Sequence, residues 1–203
     1  MRRRIRATTS LLATALVAVV LVLALAGGGG SSHRPAAHPF AWLHPAAPPA
    51  GWHVARIADG ATLPYPPGWR PIRTDPGTAS VALLRHGRIE GYLNATPRQG
   101  AETPANWSRF RPEHNQGEGD RDVRLIASSS DLTFRAGRGS CVIDDYTTSK
   151  ATYREIACLV AGARSTAVVV AAAPRAQWSR QATTLGRAVS SFVPPSTNTR
   201  SLP

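Results

Sequence analysis

The chain has 203 residues, with 24 Lys and Arg against 12 Asp and Glu and a formal net charge of +12. Its hydrophobic content of 42% is that of a globular protein and excludes a disordered chain. The arginines are scattered among acids, as in Glu118, Asp120, Arg121, Asp122 and Arg124, with no basic run interleaved with aromatics, so nucleic acid is not an expected partner.

Arg2, Arg3, Arg4 and Arg6 precede an apolar stretch, Leu11 to Ala26, interrupted only by Thr14. A basic head before an apolar run is an export signal, because the positive charge stays cytoplasmic while the apolar part enters the bilayer. With the flanking Thr8 to Ser10 and the glycines that follow, the segment reaches roughly the 20 residues that span a membrane. Residues 1–26 are therefore expected to form a hydrophobic helix that anchors the chain in the cell membrane as a single pass, domain outside. Ala24-Leu25-Ala26 before Gly27 keeps an alternative open: cleavage after Ala26 and secretion.

Residues 27–51 are rich in Gly, Pro and Ala and read as a disordered tether. His33, His38, His44 and His53 are irregularly spaced, and no Cys or carboxylate joins them, so they are not expected to hold a metal. Phe40, Trp42 and Trp52 are apolar for a linker and either pack on the domain or lie in the membrane interface.

Residues 52–195 read as one α+β domain, an antiparallel sheet of about six strands with helices packed on it; residues 196–203 form a frayed tail. Val54 to Leu63 alternates, and Pro64 to Trp69 is a turn with Tyr65 and Trp69 as core anchors. Ser80 to Arg85 and Ile89 to Thr96 are predicted strands about a His86-Gly87-Arg88 turn. Thr103-Pro104 offers an N-cap and first position for a short helix carrying Trp107 and Phe110, expected to end before Pro112. Asn115 to Arg121 is then a polar loop, followed by strands at Val123 to Phe134 and Ser140 to Thr148.

The strongest local signal is the next hairpin. A turn centred between Ser149 and Lys150 places Cys141 opposite Cys158, close enough for a disulfide, and export makes that bond the expected state. The same register sets Asp144 opposite Glu155, acid facing acid, which requires relief by Arg154, Lys150 or a cation. Asp144 and Asp145 face opposite sides of the sheet. Ser165 to Ala172 reads as a buried strand. From about Gln177 a helix carries Trp178, Ala182, Leu185, Val189 and Phe192 on one face until Pro194-Pro195 stops it.

This order of elements is suggestive: an early strand leads to Pro66-Pro67-Gly68-Trp69, then paired strands, a helix and a meander through Asp145-Tyr146 and Tyr153. After it come a Val168-Val169-Val170 strand that runs into Ala-Ala-Pro and a terminal helix from Trp178 to Phe192. It resembles the Mog1/PsbP-like group, especially its small exported members in actinobacteria. The resemblance implies the α+β fold and a role in binding or supporting other proteins, without a shared catalytic site.

The residues themselves offer no catalytic set. Ser140 lies outside any Gly-x-Ser-x-Gly elbow, and only His86 and His114 lie inside the domain beyond its first strand. No enzyme activity, cofactor or metal is expected. The expected function is that of a binding or accessory module, with an envelope protein or an anionic surface as partner and the membrane engaged through the N-terminal segment; the alternatives are a ligand-carrying envelope protein or an enzyme with an unrecognised site.

Overall fold

The structure is a computed structural model that describes residues 38–196. The N-terminal apolar segment, the tether up to residue 37 and the tail from residue 197 lie outside the described residues. Among the described residues, no helix is long and apolar enough to cross a membrane.

The alternation from Val54 to Leu63 resolves into a small hairpin, β1 (His53–Arg56) and β2 (Thr62–Tyr65), separate from the main sheet. That sheet has seven antiparallel strands. In chain order they are β3 (Arg70–Pro71), β4 (Ala79–Arg85), β5 (Arg88–Pro97), β6 (Arg121–Phe134), β7 (Gly137–Thr147), β8 (Thr152–Gly162) and β9 (Thr166–Pro174). In space the order is β3-β4-β5-β9-β8-β7-β6. The α+β architecture is the one expected, with two helices packed on the sheet.

Strand alternation assigns the two faces. Ile156, Cys158 and Val160 of β8 join Leu185, Val189 and Phe192 in one buried cluster under α2 (Trp178–Ser191). Ala157 and Leu159 turn the other way and pack with Trp107 beneath α1 (Trp107–Gly117). A slip of one residue would exchange the two sets, so the pattern fixes the register. Cys141 pairs with Cys158 across β7 and β8, and the two are joined by a disulfide in which neither residue is exposed.

Helix α1 departs from the sequence expectation. Thr103 does not cap it; Thr103 to Asn106 forms a preceding turn, in which the Thr103 N–H donates to Asn106 Oδ1 at 2.7 Å. The helix then runs through Pro112, whose missing N–H leaves the Ser108 carbonyl without its helical partner, a defect of roughly 3 kcal/mol. Tertiary contacts on both sides of the proline offset it. Trp107 Nε1 donates to the Ala157 carbonyl at 2.9 Å, and Arg111 and Asn115 reach the buried acids of the sheet. The polar loop expected from Asn115 accordingly shrinks to residues 118–120.

Residues 38–51, expected to belong to a disordered tether, instead lie on the domain, where the Ala46 N–H donates to the Ser190 carbonyl at 3.2 Å. Phe40 and Leu43 belong to the core cluster, with Trp42 and Trp52 packed against it. Trp42 rests on Gly186 of α2, where an added Cβ would come within 3.2 Å of the ring.

Candidate functional site

Helix α1 covers only part of its face of the sheet. Beside it lies a cleft of about 530 Å³. Its floor is β9, one wall is α1, and the other is formed by β4, β5 and the 73–78 loop. Because Ser80, Tyr92 and Asn94 share this face, their polar groups converge. Asn94 Nδ2 donates to Ser80 Oγ at 2.9 Å, Ser80 Oγ donates to Thr74 Oγ1 at 3.0 Å, and the Tyr92 hydroxyl lies 3.2 Å from Ser80 Oγ. Burial raises the Tyr92 hydroxyl above its ordinary range. Tyr146 is raised too, by burial first and by the Glu155 charge second, so both remain neutral donors at physiological pH.

The deep end of the cleft holds a buried acid pair. Asp144 and Glu155 stand opposite each other on β7 and β8, and neither is exposed. Relief comes from a residue the sequence did not nominate. Arg111 makes a bidentate pair with Glu155 at 2.6 and 2.9 Å, and Asn115 Nδ2 lies 3.4 Å from both acids. Burial acts to neutralise Glu155, but the Arg111 charge and hydrogen bonds outweigh it and hold the carboxylate below its usual range. Burial, then the Glu155 charge, pushes Asp144 up to about 8. At neutral pH the pair therefore shares one proton, carried by Asp144, whose Oδ1 is otherwise buried without a partner.

This arrangement predicts a pH dependence. Unfolded Asp144 would lose its proton near pH 4, whereas the folded carboxyl keeps it to about pH 8. The folded state binds the extra proton in that window, so stability falls as pH rises from about 4 to 8 and levels off above. Glu155 acts in the opposite sense, but only below its unfolded pKa of about 4.3. Asp144→Asn keeps an N–H donor for Glu155 and removes the proton, so its thermal-unfolding profile is expected to be flatter between pH 5 and 8. A variant slope equal to that of the parent chain would refute the assignment.

Arg154 does not serve Glu155; it makes a bidentate pair with Asp145 at 2.7 and 2.9 Å on the α2 side, its guanidinium 5.9 Å from the Trp178 ring. Lys150 is exposed at the β7–β8 turn. Ser140 donates to the Pro104 carbonyl at 2.7 Å. His86 sits exposed in the β4–β5 turn at φ 47°, while His114 lines the cleft. His38 accepts from the Phe40 N–H at 3.2 Å and reaches Ser129 Oγ at 3.3 Å, and the His53 ring lies against Tyr65. His33 lies outside the described residues. Among the described residues, no group of three or more His, Cys, Asp or Glu is placed to hold a metal.

Sequence comparison with family models and with curated proteins finds no match. Solved structures do match. The solution structure of PsbP from the cyanobacterium Synechocystis superimposes with a TM-score of 0.54 at 16% identity, covering 71% of this chain and 93% of that one. LpqN of Mycobacterium tuberculosis, described as involved in cell envelope biogenesis, gives a TM-score of 0.42 at 12% identity over 70% of this chain and 90% of its own. The domain thus has the PsbP-like fold, and the resemblance read from the sequence is one of structure.

Proposed function

We propose that the chain is an exported, non-enzymatic protein of the cell envelope whose domain outside the membrane binds another envelope component. The carrying observation is the cleft beside α1, a concavity of about 530 Å³, within the range of small-ligand sites, with hydroxyl and amide groups converging on it. Its strongly perturbed acids are committed inward, Glu155 to Arg111 and Asp144 to Glu155. That leaves the surface polar groups to recognise and not to transfer protons. The basic and apolar N-terminal segment supports export, and the buried disulfide fits an oxidising compartment.

Fractionation of the native host, with intact mass before and after reduction and alkylation, tests this reading. Full-mass protein in the membrane, with thiols accessible only after reduction, is the expected result. A soluble species beginning at Gly27 would replace the anchor with secretion. Recovery in the cytoplasm with free thiols would overturn the proposal.

A further inference from the structure

The cleft does not stand alone. A hollow of about 260 Å³ adjoins it and shares Thr96, Gln99 and His114; another of about 300 Å³ shares Tyr92 and Tyr146. Together the three form a groove along the α1 face of the sheet.

Its surfaces are of two kinds. At one end the rings of Phe110 and His114 stack with centroids 6.0 Å apart and planes inclined by 11°. At the other, Tyr146 and Tyr153 stack 5.8 Å apart at 18°. Between them the β4–β5 wall presents the hydroxyl and amide network of Ser80, Tyr92 and Asn94. Each hydroxyl there both donates and accepts.

Charge narrows the ligand further. Arg111, the guanidinium at the deep end, is held by two hydrogen bonds to Glu155, whose carboxylate balances its charge. Asp75, Glu118 and Asp120 also line the cleft and outnumber the exposed Arg73 there, so its rim is net acidic and disfavours an anion. A ligand suited to this groove has apolar faces to lie on aromatic rings, edges of groups that donate and accept at once, and no negative charge. A sugar ring has that chemistry: C–H groups on its faces and hydroxyls around its edge.

We propose that the groove binds an uncharged saccharide chain of the cell envelope, with sugar rings against the Phe110–His114 and Tyr146–Tyr153 stacks and their hydroxyls on the β4–β5 wall. This rests on the reading of the cleft as the binding site of an exported domain and specifies what that site takes.

The test uses the full chain, purified in a zwitterionic detergent without a sugar headgroup, on a printed array of neutral, amino and anionic glycans. The best neutral oligosaccharide is then titrated by calorimetry. Binding to neutral oligosaccharides is expected, with His114→Ala and Gln99→Ala each weakening it about tenfold. Both side chains are exposed, so the melting temperature should not change. Arg187→Ala, exposed on α2, should bind as the parent chain does. Absence of every neutral glycan, equal or tighter binding of anionic ones, or full affinity in both groove variants would each overturn the inference. A chain that fractionates with the envelope and crosslinks to an envelope component, yet retains no glycan, would sink the saccharide assignment alone and leave the broader function standing.

Discussion

Arg111→Met is expected to lower the unfolding free energy by about 3–5 kcal/mol at pH 7, the cost of leaving a buried charge without its partner. Glu155 has no exposed side-chain surface, and Arg111 is itself only 14% exposed, so little water reaches either group to replace the lost hydrogen bonds. Methionine fills much of the space of the arginine stem, so the loss reads the charge more than a cavity. Two further measurements separate the ion pair from general damage. First, without Arg111 the Glu155 carboxyl should titrate upward, because burial then acts on it unopposed. The folded state would then bind the extra proton above the unfolded pKa, so the deficit should shrink as pH is lowered toward 4. Second, adding Glu155→Gln to Arg111→Met should recover much of the loss at pH 7, since no charge remains to be compensated. Urea unfolding at pH 7 and pH 5 measures both. A single variant within about 1 kcal/mol of the parent chain at pH 7 would mean that the pair contributes no more than a surface bridge does.

The effect matters for the groove as well as for stability. Helix α1 carries a proline at its sixth position and has neither an acidic residue in its first turn nor a side-chain cap. Its hold on the sheet comes from Trp107 at one end and from Arg111 and Asn115 toward the other. Loss of Arg111 should therefore free the C-terminal half of α1, including His114, before the sheet itself opens. Hydrogen exchange of the α1 amides would show that order.

How far the sequence revealed these features depends on how far apart their parts lie. The β7–β8 hairpin was legible because its evidence is local: two cysteines, a turn at Ser149-Lys150 and alternation fix one register. That register carried the acid-on-acid pairing of Asp144 and Glu155 with it. Helix α2 was legible because its apolar residues recur at helical spacing and Pro194-Pro195 ends them. The relief of the acid pair was not legible. Arg111 lies 44 residues from Glu155, on a helix that local rules end before Pro112, so nothing nearby in the chain could nominate it over Arg154. The cleft was hidden for the same reason. Ser80, Tyr92 and Asn94 look like ordinary strand residues until β5 is seen to pair with β9 and α1 is laid across part of that face.

The second large effect concerns the disulfide. Cys141→Ala with Cys158→Ala is expected to cost about 3 kcal/mol, because opening a loop with a sequence separation of 17 releases chain entropy in the unfolded state. Alanine is the suitable replacement, since serine at two fully buried positions would add hydroxyls in need of partners. For the same reason reductant should have little access to the bond in the folded chain, so a reducing agent should shift the denaturant midpoint only once unfolding exposes it. The register should survive the loss. Thr148 and Ala151 close the turn, with the Thr148 N–H donating to the Ala151 carbonyl at 3.0 Å, and a one-residue slip would place Glu155 and Asp144 among the apolar side chains under α2. The double variant should therefore be less stable but keep the fall in stability between pH 4 and 8 that belongs to Asp144. Thermal unfolding over that range distinguishes the cases. A uniformly lowered curve of unchanged slope means that the bond restrains the unfolded chain, whereas a lost slope means that the bond itself holds the acid pair in place.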